Sequence, residues 1–413
     1  MNPKGWWTGR NLNRKGRPPF RMLEGNPADK VKCMLVALLG KVYLLMGVKC
    51  LWVLSMPLFD LKPKNNPEEL FGRRSELEEL VRLVSAGRWV AVLGPRMVGK
   101  TSLIRAANVL LENSGFKTVY VNLWGVSGVH GLLGSLARGI SSSRGLLDKI
   151  RDAAGMVEGV SVGSGGVSIS VSRRPMATVG DLLSVIGRLA GKCVIELDEI
   201  QELASISGLL LKVLANIFNT YPNIVFVFTG SMFGLMRTLL EPGPSSPLYG
   251  RTPAKLVLKP FRADVARSFL ETGFAESNVD VESWMIDEAV EKLDGVPGWL
   301  TLYGNNVVVR EMPHHEALEE TVSEGVKIVK GELEHFLEGR DRRLYMAALK
   351  AAAIRARWSE VKGAIEAARG IPVNDATVYK ILKNLKAAML IEEQKKTYTV
   401  RDPMLRTLLL APS

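Results

Sequence analysis

Residues 89–102 read WVAVLGPRMVGKTS, a short apolar run that passes straight into a glycine-bounded loop. Trp89 to Leu93 suits a buried strand, and Gly94, Pro95, Arg96, Met97, Val98, Gly99, Lys100, Thr101 and Ser102 follow it directly. The pattern is GxxxxGK[ST]. A polyphosphate wrapped by backbone N–H groups needs a chain that can come close without a Cβ in the way, which Gly94 and Gly99 allow. A helix starting near Lys100 directs its positive end at the anion. The Lys100 ammonium then reaches the β and γ phosphates, and the Thr101 hydroxyl enters a Mg²⁺ shell. Leu103, Ile104, Ala107, Leu110 and Leu111 repeat at helical spacing, with Gly115 as the stop.

Around this loop the chain supplies further buried strands. TVYVNL ends at Leu123, and NIVFVF ends at Phe228. KCVIELDEIQE delivers Asp198 and Glu199 to the end of a third, where a parallel strand meets the phosphate loop. Asp198 can hold Mg²⁺ through water, and Glu199 can orient and deprotonate an attacking water. Glu196 inside the same strand leaves a slip of roles open. Thr229 or Ser231, beyond Phe228, is either a hydroxyl near the γ-phosphate or an ordinary helix cap. Arg251, in a proline and glycine loop before a last strand at 254–258, is a candidate γ-phosphate contact from its own chain or a neighbour, or a plain surface arginine. Ahead of the phosphate loop, Ser75 and Glu78 form a capping box for a helix at 71–83. Phe71, Gly72 and Arg73 are candidates for the adenine side. VEGVSVGSGGVSISVS, near 157–172, alternates on both sides of GSGG and predicts a β-hairpin insertion.

From Arg262 to Leu337 the period turns helical, broken at GVPGWL, where Pro297 opens a helix that could close over a base. Beyond it, three amphipathic helices and an alternating hairpin make a winged helix-turn-helix. Thr377, Lys380, Lys383, Asn384 and Lys386 are its exposed third-helix candidates, with Lys395 and Lys396 at the wing tip. The predicted class is therefore α/β: a P-loop NTPase core with a parallel sheet, a helical lid and a C-terminal winged helix. The predicted domains are an extension over 1–55, the core over 56–260, the lid over 261–338 and the winged helix over 339–413.

The 413 residues carry a formal charge of +12, divided as +8 over 1–55, +8 over 340–413 and −4 between. The basic character belongs to the two ends. Three scattered cysteines do not make a disulfide framework, and they point to a reducing cytoplasm. His314 and His315 read as a solvated helix start rather than a metal pair. Cys33 to Leu54 is long enough to span a bilayer, but Lys41 and Lys49 interrupt it, each costing roughly 2.5–3.5 kcal/mol at the membrane centre. The competing readings are a disordered or over-extended start before Met56, an interfacial or membrane helix, and a packed helix.

With LFDLKPK, LFGRRSEL, GPRMVGKTS, VIELDEIQ, TGSMFGLM, PLYGR, GVPGWL and YTVRDPMLR in order, the chain from about Met56 resembles the archaeal ATPase family, related to the STAND class among AAA+-like P-loop NTPases. That resemblance implies ATP with Mg²⁺, the GxP segment closing on adenine, slow turnover and control by nucleotide state. It also implies a start near LFDLKPK. Asn122, where an aspartate often stands, and Glu196 depart from the family pattern. The expected function is a Mg²⁺-dependent switch ATPase whose winged helix contacts duplex DNA. The alternative is a slowly hydrolysing signalling scaffold whose winged helix binds protein partners, and a homo-oligomer fits either.

Overall fold

The computed structural model describes residues 58–143, 145–151, 160–163, 166–169, 175–230 and 235–411. The extension over 1–55, with its apolar stretch Cys33 to Leu54, lies outside the described residues, as does Ser231.

Helix α1 (Arg74–Ser85) precedes β1 (Val90–Leu93), and α2 (Lys100–Asn113) follows the phosphate loop. Then come β2 (Lys117–Asn122), α3 (Gly128–Ser142), α4 (Leu146–Arg151), the antiparallel pair β3 (Val160–Gly163) and β4 (Gly166–Ile169), and α5 (Pro175–Leu189). β5 (Cys193–Asp198), α6 (Ser207–Thr220), β6 (Ile224–Gly230), α7 (Leu235–Leu240) and β7 (Ala254–Val257) complete this part. The sheet runs β2-β5-β6-β1-β7, every neighbouring pair parallel. All residues of β1, β5 and β6 are buried, as expected of central parallel strands covered on both faces. Leu93 pairs with Gly230, and Asn122 with Asp198, so the carboxyl ends of these strands share one edge. That edge is where open α/β sheets place their ligand crevice.

The predicted capping box does not form. Arg73 is the residue before α1, Ser75 lies inside the helix and donates to Glu76 at 2.7 Å, and Glu78 pairs with Arg74 at 2.8 Å. Arg73 itself turns inward to bond two backbone carbonyls, and the helix begins at Arg74, later than the expected Phe71.

Four helices follow: α8 (Ala263–Glu276), α9 (Ser283–Leu293), α10 (Pro297–Val308) and α11 (His314–Leu337). The last segment contains α12 (Arg342–Ala353), β8 (Ala356–Arg357), α13 (Trp358–Arg369), α14 (Asp375–Ala387), β9 (Ile391–Gln394), β10 (Thr397–Val400) and α15 (Pro403–Leu410). Three helices and the antiparallel sheet β8-β10-β9 make the winged helix. The Asn374 side chain caps α14 by accepting from the Thr377 N–H at 2.9 Å. Helix α15, absent from the sequence expectation, is capped by Asp402, which accepts from the N–H groups of Met404 (2.8 Å) and Leu405 (3.1 Å).

A single apolar cluster joins α11 to this terminal segment, with Leu333 and Phe336 packed in the same core as Leu344, Tyr345 and Met404. Phe59 belongs to that core too, 1% exposed. A Cβ at either Gly273 of α8 or Gly304 of α10 would overlap its ring, so the two glycines shape its socket. The start of the LFDLKPK segment, expected to begin the core domain, thus packs into the helical part.

Candidate nucleotide site

A Cβ at Gly94 would come within 2.8 Å of Val98 and 2.9 Å of the Leu258 carbonyl, so the loop closes only around a glycine there. Gly99 adopts φ 95°, a conformation that side-chain-bearing residues rarely take. Lys100 is buried, and its Nζ donates to the carbonyls of Gly94 (3.1 Å) and Pro95 (3.0 Å), which keeps the ammonium inside the loop.

The outer side of the loop is tied to three other elements. Arg96 pairs with Glu332 of α11 and lies over the Trp124 ring, 4.7 Å from its centroid. The Met97 carbonyl accepts from the Gly298 N–H at 2.8 Å, which brings Pro297 and the start of α10 beside the loop. The Val98 carbonyl accepts from Arg73 at 3.2 Å. Arg73 also bonds the Lys259 carbonyl (2.6 Å) and Glu76 (2.9 Å), and is buried. Its guanidinium is therefore committed to the fold rather than open to a base. Phe71 packs edge-on against Phe269, and Gly72 (φ 63°) lies close to Phe261 and Val265. Ser102 accepts from the Lys64 N–H at 3.2 Å, fastening the segment that carries Phe59.

Thr101 Oγ1 donates to Asp198 Oδ2 at 3.0 Å. β6 lies between β5 and β1, about 10 Å of sheet at the usual strand spacing, so the loop must curl over the tip of β6 to bring these side chains together. Asp198 accepts two further hydroxyls: Tyr120 at 2.6 Å and Thr229, whose Oγ1 also accepts from the Glu199 N–H at 3.1 Å. Burial, then the charge of Asp198, keeps the Tyr120 phenol protonated well above its ordinary range. Glu199 takes φ 62°, a strained choice for glutamate, and its Oε2 accepts from Gln201 Nε2 at 2.5 Å. Glu196 is 1% exposed and bonded to Asn108 of α2 at 2.8 Å, and burial pushes its carboxyl up to about 8. It sits inside the sheet, which gives no support to a slip of roles from Glu199.

Arg251 is a correction. It precedes Ala254, which pairs with Val90 at the start of β1, whereas the phosphate loop leaves the other end. The strand alone separates the two by about 10 Å at 3.3 Å per residue. Arg251 bonds the Pro247 carbonyl at 3.3 Å and faces Phe218, so a γ-phosphate contact from its own chain is excluded. His314 is a second correction. Rather than solvated, it is buried, with Nδ1 bonded to the Tyr303 hydroxyl (2.8 Å) and Nε2 to Glu288 (2.9 Å).

On the winged helix, Lys380 and Lys383 of α14 are exposed and make no ion pair among the described residues. Lys386 pairs with Glu393 at 2.6 Å, Asn384 donates to Tyr345 at 2.7 Å, and Thr377 bonds its own cap, so those three expected contacts are occupied. Lys395 and Lys396 are exposed at the wing turn, with φ 50° and 64°.

Tyr120, Gln201 and Glu332 escaped the sequence expectations. Tyr120 lies on the expected strand TVYVNL in parity with Asn122, but the pairing of that strand with β5, which brings it to Asp198, carries no local signal. Glu332 carries no local signal.

A profile of ATPase domains predominantly from Archaea matches residues 70–302, more than half of the chain. A profile of the C-terminal winged helix-turn-helix domain of MCM proteins matches residues 338–400. Among solved structures, a Walker-type ATPase of Pyrococcus abyssi is similar at 29% identity and TM-score 0.67, over 85% of this chain and 99% of that one. The ORC2 protein of Aeropyrum pernix shares the fold at 17% identity and TM-score 0.54, over 85% and 96%. Among curated proteins none matches.

Proposed function

The chain belongs to the family of ATPase domains found predominantly in Archaea, and from that footing we propose that it is a Mg²⁺-dependent, nucleotide-controlled switch whose winged helix engages duplex DNA. The observation that carries the magnesium reading is the 3.0 Å contact between Thr101 and Asp198, which gathers hard oxygen donors beside the buried Lys100. A loop that closes only around a glycine at 94, with the Lys100 ammonium held inside it, suits a phosphate chain. Bound Mg²⁺ would neutralise the β and γ phosphates and fix their orientation. Lys100 then adds a point charge to the same oxygens, and Gly94 to Ser102 wrap them. Glu199 accepts a proton from water as its oxygen attacks the γ-phosphorus and the bond to the β-bridging oxygen breaks. Phe71, Gly72 and Pro297, at the seam between the loop and the helices, are the proposed adenine side. Ser231, with Thr229 bonded to Asp198 at the tip of β6, is the proposed hydroxyl near the γ-phosphate. In a homo-oligomer, Arg251 would serve a neighbour's γ-phosphate.

Control by nucleotide state is supported by the ties of Arg96 and Met97 to α11 and α10, because α11 shares its core with the winged helix. DNA contact is supported by Lys380, Lys383, Lys395 and Lys396, exposed and without an ion pair among the described residues. A second reading, protein docking by a slow scaffold, draws support from Ile354 (70% exposed) and Tyr379 (63%) on the same domain. The deciding experiment is a mobility shift on duplex DNA with ATP, ADP or no nucleotide across a salt series. Salt-sensitive, nucleotide-dependent binding is expected, and its absence in all three states would favour protein docking. The buried free thiol of Cys193 suits a cytoplasmic setting.

A further inference from the structure

We propose that Gln201 is a positioning residue for hydrolysis, holding the Glu199 carboxylate in the one orientation that leaves an oxygen for the attacking water. The inference rests on the reading of Glu199 as the base. Gln201 Nε2 donates to Glu199 Oε2 at 2.5 Å. Only the nitrogen end of an amide can donate to a carboxylate, so the contact also fixes which way Gln201 points.

Three further features show that this contact is built rather than incidental. Glu199 is held at φ 62°, a backbone state that glutamate takes only when its surroundings impose it. Its N–H is bonded to Thr229 and its carbonyl accepts from the Glu202 N–H at 3.2 Å, so the backbone is fixed on both sides of the Cα. With the backbone fixed, the side-chain torsions are the freedom that remains, and Gln201 removes it. Next, Gln201 can stand there only because residue 230 is a glycine. A Cβ at Gly230, the last residue of β6, would collide with Gln201 Oε1. Finally, Gln201 Oε1 is buried without a hydrogen-bond partner among the described residues. An unpaired buried acceptor is costly, and a side chain kept in that state is one whose other end is needed. Glu199 Oε1, by contrast, takes no protein donor among the described residues, which leaves it for water.

The test compares Gln201→Met, which keeps length and bulk but cannot donate, with Glu199→Gln and the double variant. Gln201→Met is expected to lower kcat about tenfold, part of the 10²-fold or larger loss of a general base. The KM for ATP and the affinity for a fluorescent ATP analogue should stay within about twofold, and thermal unfolding should be unchanged. Because Gln201 acts through Glu199, the double variant should turn over no more slowly than Glu199→Gln alone. A purely structural residue would instead slow both backgrounds alike. Gln201→Ala supplies the same comparison should the methionine variant be poorly folded. Wild-type or faster turnover in a folded Gln201 variant, with Glu199→Gln slow, overturns the proposal. Normal turnover in Glu199→Gln would remove the base assignment itself, a different failure that the same series distinguishes.

Discussion

Arg96, in the middle of the phosphate loop, forms an ion pair with Glu332, more than two hundred residues away on α11. Both side chains are partly exposed, so the pair contributes little to stability, on the order of 0–1 kcal/mol. Its weight lies in charge, because Glu332 holds a carboxylate against a loop that is to receive an anionic phosphate chain. Glu332→Gln should therefore tighten nucleotide binding by about two- to fivefold, read by titration with a fluorescent ATP analogue. Weaker binding would mean that Glu332 supports the loop instead of repelling its ligand.

Asp198 takes hydroxyls from Thr101, Tyr120 and Thr229, and Tyr120 is the one outside the nucleotide motifs. Tyr120→Phe withdraws one donor from a buried carboxylate, a loss of about 1–2 kcal/mol in urea unfolding. Half-maximal turnover should also need several-fold more Mg²⁺, since Asp198 is then less firmly aimed. Lys100→Ala serves as the contrast, removing nucleotide binding itself. A Tyr120→Phe protein with wild-type stability and Mg²⁺ dependence would show that the hydroxyl is dispensable.

Glu196 gives the fold a pH dependence. Its carboxyl titrates at about 8 in the folded protein, against 4.5 ordinarily, chiefly because it is buried. A raised acid favours the folded state fully below its unfolded value, and that contribution is lost as pH climbs through the folded one. Glu196→Gln cannot ionise, so without nucleotide or divalent cation its melting temperature should match the wild type below about pH 4.5, exceed it increasingly up to about pH 8 and keep a constant lead above that. Parallel curves for the two proteins would place the proton elsewhere.

What the sequence made legible follows from where the physics is local. GPRMVGKTS and VIELDEIQ can be read because a strand, a turn and a helix N-terminus are set within a dozen residues. Arg251 could be seen as a loop arginine, but its edge of the sheet depends on the pairing of Ala254 with Val90, which no local pattern carries. His314 departs from its solvated expectation for a related reason. An adjacent histidine pair at a helix start looks solvated until α9 and α10 bring Glu288 and Tyr303 against it. Phe59 stands in the LFDLKPK motif, yet its socket is made by glycines more than two hundred residues away.

That socket sets where the chain can be shortened. A protein beginning at Met56 keeps Phe59 and the bond from the Lys64 N–H to Ser102, and should remain folded and hydrolyse ATP. One beginning at Pro67 loses both. Emptying the Phe59 site should cost about 3–5 kcal/mol, the usual penalty for removing a buried phenylalanine. Circular dichroism melts of the two truncations test this, and equal stability would show that Phe59 fills space without holding α8 and α10.

The wing tip separates stability from binding. Lys395 and Lys396 form a two-residue hairpin turn with both φ values positive, a geometry for which asparagine and glycine are the usual residues. Lysine in the left-handed region costs roughly 1–2 kcal/mol, so Lys396→Gly should stabilise the protein by about 1 kcal/mol in urea unfolding. On the DNA reading, the same change removes a phosphate contact. It should weaken binding to all duplex sequences alike and reduce the slope of log affinity against log salt by about one. The two effects have opposite signs, so a loss of binding could not be blamed on a damaged fold. ATP turnover without DNA should not change, because the wing lies outside the phosphate-loop site. A stabilised variant with undiminished DNA affinity would clear Lys396 of phosphate contact and leave Lys395, with Lys380 and Lys383 of α14, to carry the basic face.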